Sequence, residues 1–153
     1  MTTMTALDLT KQVPRSPYDQ LAGYSWLPRM IDKVRALNAG TLGEYSAFPC
    51  GGDRGFMGAV GLDADGFRAQ VDAGKTDAEI GEWVKAQLGD EGQAKAAGHR
   101  QYMITSVTEG EYAGYLAEYV KEIQAAQPNL DLSGATNFSK AICLEEGHPI
   151  PSA

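Results

Sequence analysis

Leu27, Met30, Ile31, Val34 and Leu37 recur at i, i+3, i+4, i+7 and i+10, the spacing of one apolar stripe on an α-helix. Pro28 suits the first helical turn and Gly40 suits the stop, so this segment is predicted as a helix facing a core. Just before it, Ser16 to Gly23 predicts one or two helical turns, with Ser16 as N-cap and Pro17 at the first helical position. Asp53 is expected to cap a short helix over Phe56 to Val60. Asp63 is expected to cap another that carries Phe67 and Val71 and stops at Gly74. The clearest helix follows. Thr76 and Glu79 form a capping box, Ile80, Trp83, Val84 and Leu88 make the buried stripe, and Gly89 ends it.

Residues 90–106 continue as a helix weakened by Gly92 and Gly98. A longer helix over 108–126 places Tyr112, Tyr115, Leu116, Tyr119, Val120 and Ile123 on one face, as core or pocket lining, and Pro128 breaks it. A last helix is expected over Phe138 to Glu146. The one strand candidate is the alternating run from Leu42 to Phe48. The fold class is therefore all-α or nearly so: a single domain of six to eight short helices with a Gly-rich loop at about 40–55. An extended N-terminal arm (about 1–15) and a short irregular tail (about 147–153) flank it.

Composition narrows the function classes. With 43% apolar and 22% charged residues the chain is an ordinary globular protein rather than a disordered one. A net charge of −7 argues against nucleic acid as a partner, because phosphates are repelled overall. The charge is uneven: residues 1–54 hold six Lys/Arg against five Asp/Glu, the rest seven against fifteen. No apolar run reaches the ~18 residues of a membrane span, and the start lacks a basic and an apolar signal segment. Two cysteines, Cys50 and Cys143, are too few for a disulfide scaffold, so a reducing cytoplasm with both as thiols is expected.

The motifs Asp8-Leu9-Thr10, Pro14-Arg15-Ser16-Pro17, Gly23, Leu27 to Lys33 and Gly40 to Tyr45 together resemble the opening signature of an uncharacterised bacterial family, domain of unknown function 5069. The resemblance covers about residues 7–88, with the Trp83 helix fitting its second half. It implies a bacterial, soluble, helical protein and supplies no reaction.

The charged positions 29–35 carry the candidate chemistry. On a helix, Arg29, Asp32, Lys33 and Arg35 share the face opposite the apolar stripe, where Arg29 pairs with Asp32 and Asp32 with Arg35. Three readings compete: a solvated charged face, a buried ionic network pinning the arm and the Gly43-Glu44-Tyr45 loop, or an anion subsite of fixed guanidinium groups. Arg29 and Asp32 lean to structure, Lys33 and Arg35 to ligand contact. In the stretch from Phe48 to Gly58, Gly51, Gly52 and Gly55 permit close backbone approach, and a helix start near Asp53 offers N–H groups to an anion. Cys50 just ahead of it is a candidate nucleophile; the plainer alternative is a tight turn around a small cysteine.

Two function classes result. The first is a site for a small anionic metabolite, with Arg29, Lys33, Arg35, Tyr45, Gly51 and Gly52 binding it and Glu44 and Asp53 as the catalytic carboxylates. The second is a non-catalytic helical protein that binds another protein or forms a homodimer through an aromatic patch of Tyr18, Tyr24 and Trp26. No cofactor is expected and no metal site is assigned, since Cys50, His99, Cys143 and His148 have no diagnostic spacing.

Overall fold

The computed structural model describes residues 6–151. Among the described residues, six helices and one two-stranded hairpin make a mostly α-helical protein. Its contacts cluster into two units, one up to His99 and one from Arg100 onward.

In the first unit the described residues of the arm form no helix. It is fastened by a bond from the Leu9 N–H to the Thr41 carbonyl and another from the Thr41 hydroxyl to the Leu7 carbonyl. Residues 16–23, expected as helical turns, instead lead into the hairpin β1 (Gln20–Leu21) and β2 (Tyr24–Ser25), paired Gln20 to Ser25 and Leu21 to Tyr24. Ala22 (φ 54°) and Gly23 (φ 86°) form its two-residue loop. Positive φ at both positions matches the right-handed twist of the strands, which decides against a helix.

Helix α1 (Leu27–Ala39) starts with Pro28 in its first turn and stops at Gly40, as the pattern predicts. Leu27, Met30, Ile31 and Val34 are fully buried, each contributing about 1.5–3 kcal/mol. Its other face is not solvated: Arg29, Asp32 and Lys33 are also buried. The run from Leu42 to Phe48 forms no strand and ends in a cis Phe48–Pro49 bond.

Helix α2 (Gly51–Val60) begins earlier than expected, with Cys50 as N-cap and Asp53 at its third position. Helix α3 (Ala64–Asp72) is capped by the Asp63 side chain, which accepts from the Gly66 N–H, and packs on α1. Helix α4 (Asp77–Ile104) opens with the Thr76–Glu79 capping box and is interrupted at Gly89, whose φ of 61° and ψ of −159° are not helical.

In the second unit, α5 (Glu111–Ala126) lies on α6 (Phe138–Glu146) around Leu116, Ile123 and Ala141. Asn137 caps α6, its side chain accepting from the Lys140 N–H and donating to the Met103 and Thr105 carbonyls. Tyr112 and Tyr115, expected on the buried face of α5, are 51% and 63% exposed. The core takes Leu116 and Ile123 fully and Tyr119 and Val120 partly from this helix, and Tyr112 meets Phe138 edge-on, with centroids 5.2 Å apart. No described helix is long and apolar enough to cross a membrane.

Candidate functional site at the head of helix α2

The Phe48–Pro49 bend delivers Cys50 to the start of α2. Cys50 and Asp53 form a capping box across the first turn: the Cys50 N–H donates to Oδ2 of Asp53 at 3.0 Å, and the Asp53 N–H faces the Cys50 sulfur. Helix α1 supplies the third member. From it Lys33 sends its ammonium to Oδ2 of Asp53 and to Sγ of Cys50, each at 3.0 Å. The second carboxylate oxygen of Asp53 accepts the indole N–H of Trp26 at 2.8 Å.

Lys33 and Asp53 are 3% and 0% exposed, so neither charge is met by water. Asp53 is met by Lys33 and by the Trp26 and Cys50 N–H donors, and Lys33 by Asp53 and the Cys50 sulfur as acceptors, the condition under which a buried pair persists. Asp53 holds three groups in place: the Trp26 ring, the Lys33 ammonium and the Cys50 backbone. Cys50 is only half-buried as a residue, and its sulfur has the Lys33 ammonium against it.

Trp26 is itself strained. It precedes α1 with φ 76° and ψ −29°, a left-handed conformation that bulky side chains rarely adopt. Such a conformation costs on the order of 1–3 kcal/mol and persists only where the surroundings over-determine it. Here Asp53 holds the indole nitrogen, the Arg29 guanidinium lies 5.6 Å from the ring centroid, and Gly52 lies directly against the ring. A Cβ on Gly52 would fall 2.3 Å from the indole, so position 52 accepts no side chain while Trp26 stays. The same Arg29 guanidinium lies 5.8 Å from the Tyr45 ring and donates to the Arg15 carbonyl.

The other charges of α1 form a separate network. Arg15, from the arm, clamps Asp32 with Nε and Nη2 and reaches Asp77 at 2.8 Å. Arg35 meets the same Asp77 at 2.8 Å and donates to the Lys75 carbonyl. Burial works against the charge on Arg15, but the carboxylates of Asp32 and Asp77 outweigh it and raise its pKa. Burial likewise opposes ionisation of Asp77, and Arg15 and Arg35 outweigh it, holding that carboxyl below the ordinary value. Long-range pairs carry much of this network: Asp32 meets Arg15, and Arg35, expected to pair with Asp32, meets Asp77. The reason is geometric: with α1 buried on most sides, each charge is met by the element packed against it.

The candidate residues thus fall into two places. Lys33, Asp53, Gly51, Gly52, Arg29 and Tyr45 gather round the head of α2. Arg35 belongs to the network at the start of α4 and lines an open groove of about 310 Å³ with Asn38, Asp72 and Lys75. Glu44 is exposed and, among the described residues, makes no hydrogen bond or ion pair with α1. The aromatic patch expected from Tyr18, Tyr24 and Trp26 is absent as a surface, since all three rings are buried. Among the described residues no three His, Cys, Asp or Glu side chains gather as a metal site.

Sequence reasoning missed Arg15, Asp77 and the role of the Trp26 indole. An arginine set between Pro14 and Pro17, in a stretch too rigid to be a disordered arm, was a usable signal for the first. For Asp77, in the first turn of α4, no local signal exists.

The fold and this buried polar cluster define a mostly α-helical protein with a partly exposed thiol held against a buried ion pair. The family model of the domain of unknown function DUF5069 matches residues 11–148, and the chain belongs to that family. No curated protein matches it.

Proposed function

We propose that this protein binds a small anionic metabolite at the head of α2 and that Cys50 is the reactive group of the site. The observation that carries this reading is the sulfur of the half-buried Cys50, 3.0 Å from the buried Lys33 ammonium. The thiolate is the nucleophilic form of cysteine, and a neighbouring cation and a helix N-terminus are the surroundings in which proteins keep reactive ones. Gly51 and Gly52 are exposed in the first turn of a ten-residue helix, where N–H groups and the helix dipole favour an anion. Lys33 attracts the ligand's charge, Asp53 holds Lys33 and the turn, and Arg29, Trp26 and Tyr45 make the rigid wall. Asp53 is too buried to touch a ligand, so its part is positioning. A reducing cytoplasm, where Cys50 stays a thiol, fits this chemistry.

The test is the alkylation of Cys50 by iodoacetate and by iodoacetamide, followed by peptide mapping. The anionic reagent is expected to react faster at Cys50 than the neutral one, with the preference collapsing in high salt. In Lys33→Met the preference is expected to fall about tenfold, the effect of one charge at this range in a partly solvated site. Equal rates for both reagents in the native protein would remove the anion site.

One observation favours a second reading, a non-catalytic protein that docks a partner or a second copy. Tyr102, Tyr112 and Tyr115 are more than half exposed in the second unit, and tyrosine is a common anchor of interfaces. Sedimentation of the protein and of Tyr112→Ser/Tyr115→Ser separates the readings: a self-associating species lost in the double variant supports docking.

A further inference from the structure

Lys33 and Cys50 come from two different helices, yet their reactive atoms are in direct contact. Nζ lies 3.0 Å from Sγ and 3.0 Å from a carboxylate oxygen of Asp53. Lys33 is 3% exposed, whereas Cys50 is half-buried, so a small oxidant reaches the cysteine more readily than the amine. An oxidised sulfur therefore finds its nearest nucleophile already in place.

We propose that mild oxidation joins Lys33 and Cys50 through a covalent Nζ–Sγ bond, a sulfenamide. This goes beyond the ligand site and stands whether or not Cys50 acts on a metabolite, since it rests on the contact alone. The oxidant is a hydroperoxide. In the first step the Cys50 thiol attacks one peroxide oxygen and the O–O bond breaks, giving a sulfenic acid and water: sulfur loses two electrons and peroxide gains them. In the second, Lys33 passes a proton to Asp53 and its nitrogen lone pair attacks Sγ. The S–O bond breaks, the departing hydroxide takes the proton from Asp53 and leaves as water, and one further N–H proton goes to solvent. No electron is exchanged in this condensation. Sulfenic acids condense in this way with thiols and with backbone nitrogen, and here an amine is the closest partner.

Two consequences follow from the position. The link closes the thiol before it reaches the irreversible sulfinic state. It also removes the positive charge beside Asp53, so the cluster that holds Trp26 loses its balance while the link lasts. An added thiol that attacks Sγ restores both side chains.

The experiment uses the reduced full-length protein, treated with a small excess of hydrogen peroxide and read by intact mass and peptide mapping. The expected product is a monomer lighter by two hydrogens, in which the tryptic peptide from Met30 to Arg35, uncut at Lys33, is joined to the peptide carrying Cys50. Tryptic cleavage after Lys33 is lost, and dithiothreitol restores it. A Cys50–Cys143 disulfide also loses two hydrogens but leaves Lys33 cleavable, and that result overturns the proposal. So does Cys50 recovered as sulfinic acid in the native protein. In Lys33→Arg the same treatment is expected to drive Cys50 to sulfinic acid; the wild-type peptide map decides the matter if that variant fails to fold. Alkylation rates report on the ligand site and the map reports on the bond, so failure of one leaves the other standing.

Discussion

The Lys33 ammonium and the Asp53 carboxylate meet at 3.0 Å with almost no solvent access, and both Cys50 and Trp26 are bonded to that pair. The pair therefore joins α1 to the head of α2 and decides where the thiol stands. Removing one partner leaves the other charged and buried, which costs about 3–5 kcal/mol, whereas removing both forfeits much less. Lys33→Met and Asp53→Asn are each expected to lower the urea midpoint strongly, and the double variant to lose less than the sum of the two. Additive losses in the double-mutant cycle would show that the two charges do not depend on each other.

Gly51 and Gly52 are adjacent, and their substitution is expected to act in opposite directions. A Cβ at Gly51 meets nothing within 4 Å, while one at Gly52 meets the Trp26 ring at 2.3 Å. Gly51→Ala is expected to leave stability unchanged or raise it by up to about 1 kcal/mol, through helix propensity. Gly52→Ala is expected to cost about 1–3 kcal/mol by overpacking and to shift tryptophan fluorescence as the indole leaves Asp53. Thermal melts with fluorescence detection read both; a Gly52→Ala protein with native fluorescence would place the indole elsewhere.

Asp77 holds Arg15 and Arg35 together, fastening the arm and α1 to the start of α4. Its folded-state pKa lies below the usual 3.8, so the stability it contributes is present above that value and is lost as the pH falls through the folded one. Asp77→Asn is expected to cost about 1–2 kcal/mol near neutrality, discounted for the partial exposure of the pairs. The difference from wild type should shrink below a pH of about 4; a difference that stays constant down to pH 2 would mean the carboxylate charge contributes nothing.

His99 lies against Phe56, with ring centroids 5.4 Å apart, and burial pushes its pKa below the ordinary 6.5. The unfolded chain then binds this proton first, so stability is full above about 6.5 and falls as the pH drops toward the folded-state value. Urea unfolding of wild type and His99→Leu at pH 7.5 and 5.5 is expected to show a smaller pH dependence in the variant. An unchanged slope would assign the dependence to other groups.

Local rules settled much of the fold. The stripe from Leu27 to Val34, Pro28, Gly40, the Thr76–Glu79 box, the stop at Gly89 and the helix over Phe138 to Glu146 all involve residues within a few positions of each other, so sequence spacing alone determines them. Where it failed, the competing structure was also local but of another kind. Ala22-Gly23 makes a hairpin loop in place of a helix stop, and Cys50 takes the cap expected of Asp53. Tyr112 and Tyr115 of α5 satisfy helical spacing and are still more than half exposed, while Tyr119 packs on the core, because periodicity gives a face but not what covers it.

The site divides along the same line. That Lys33, Asp53, Gly51 and Gly52 carry the interest was legible from an excess of cations on one helix and a glycine-rich turn after it. Which cation meets which carboxylate was not, because Asp32 is bonded 17 positions away, Arg35 42 positions away and Lys33 20 positions away. Sequence fixes the helices and the charges they carry, through interactions a turn or two long. Only the tertiary structure, which brings the starts of α2 and α4 to the charges of α1, assigns the partners, because a buried charge is stabilised by whatever the fold brings within hydrogen-bond reach.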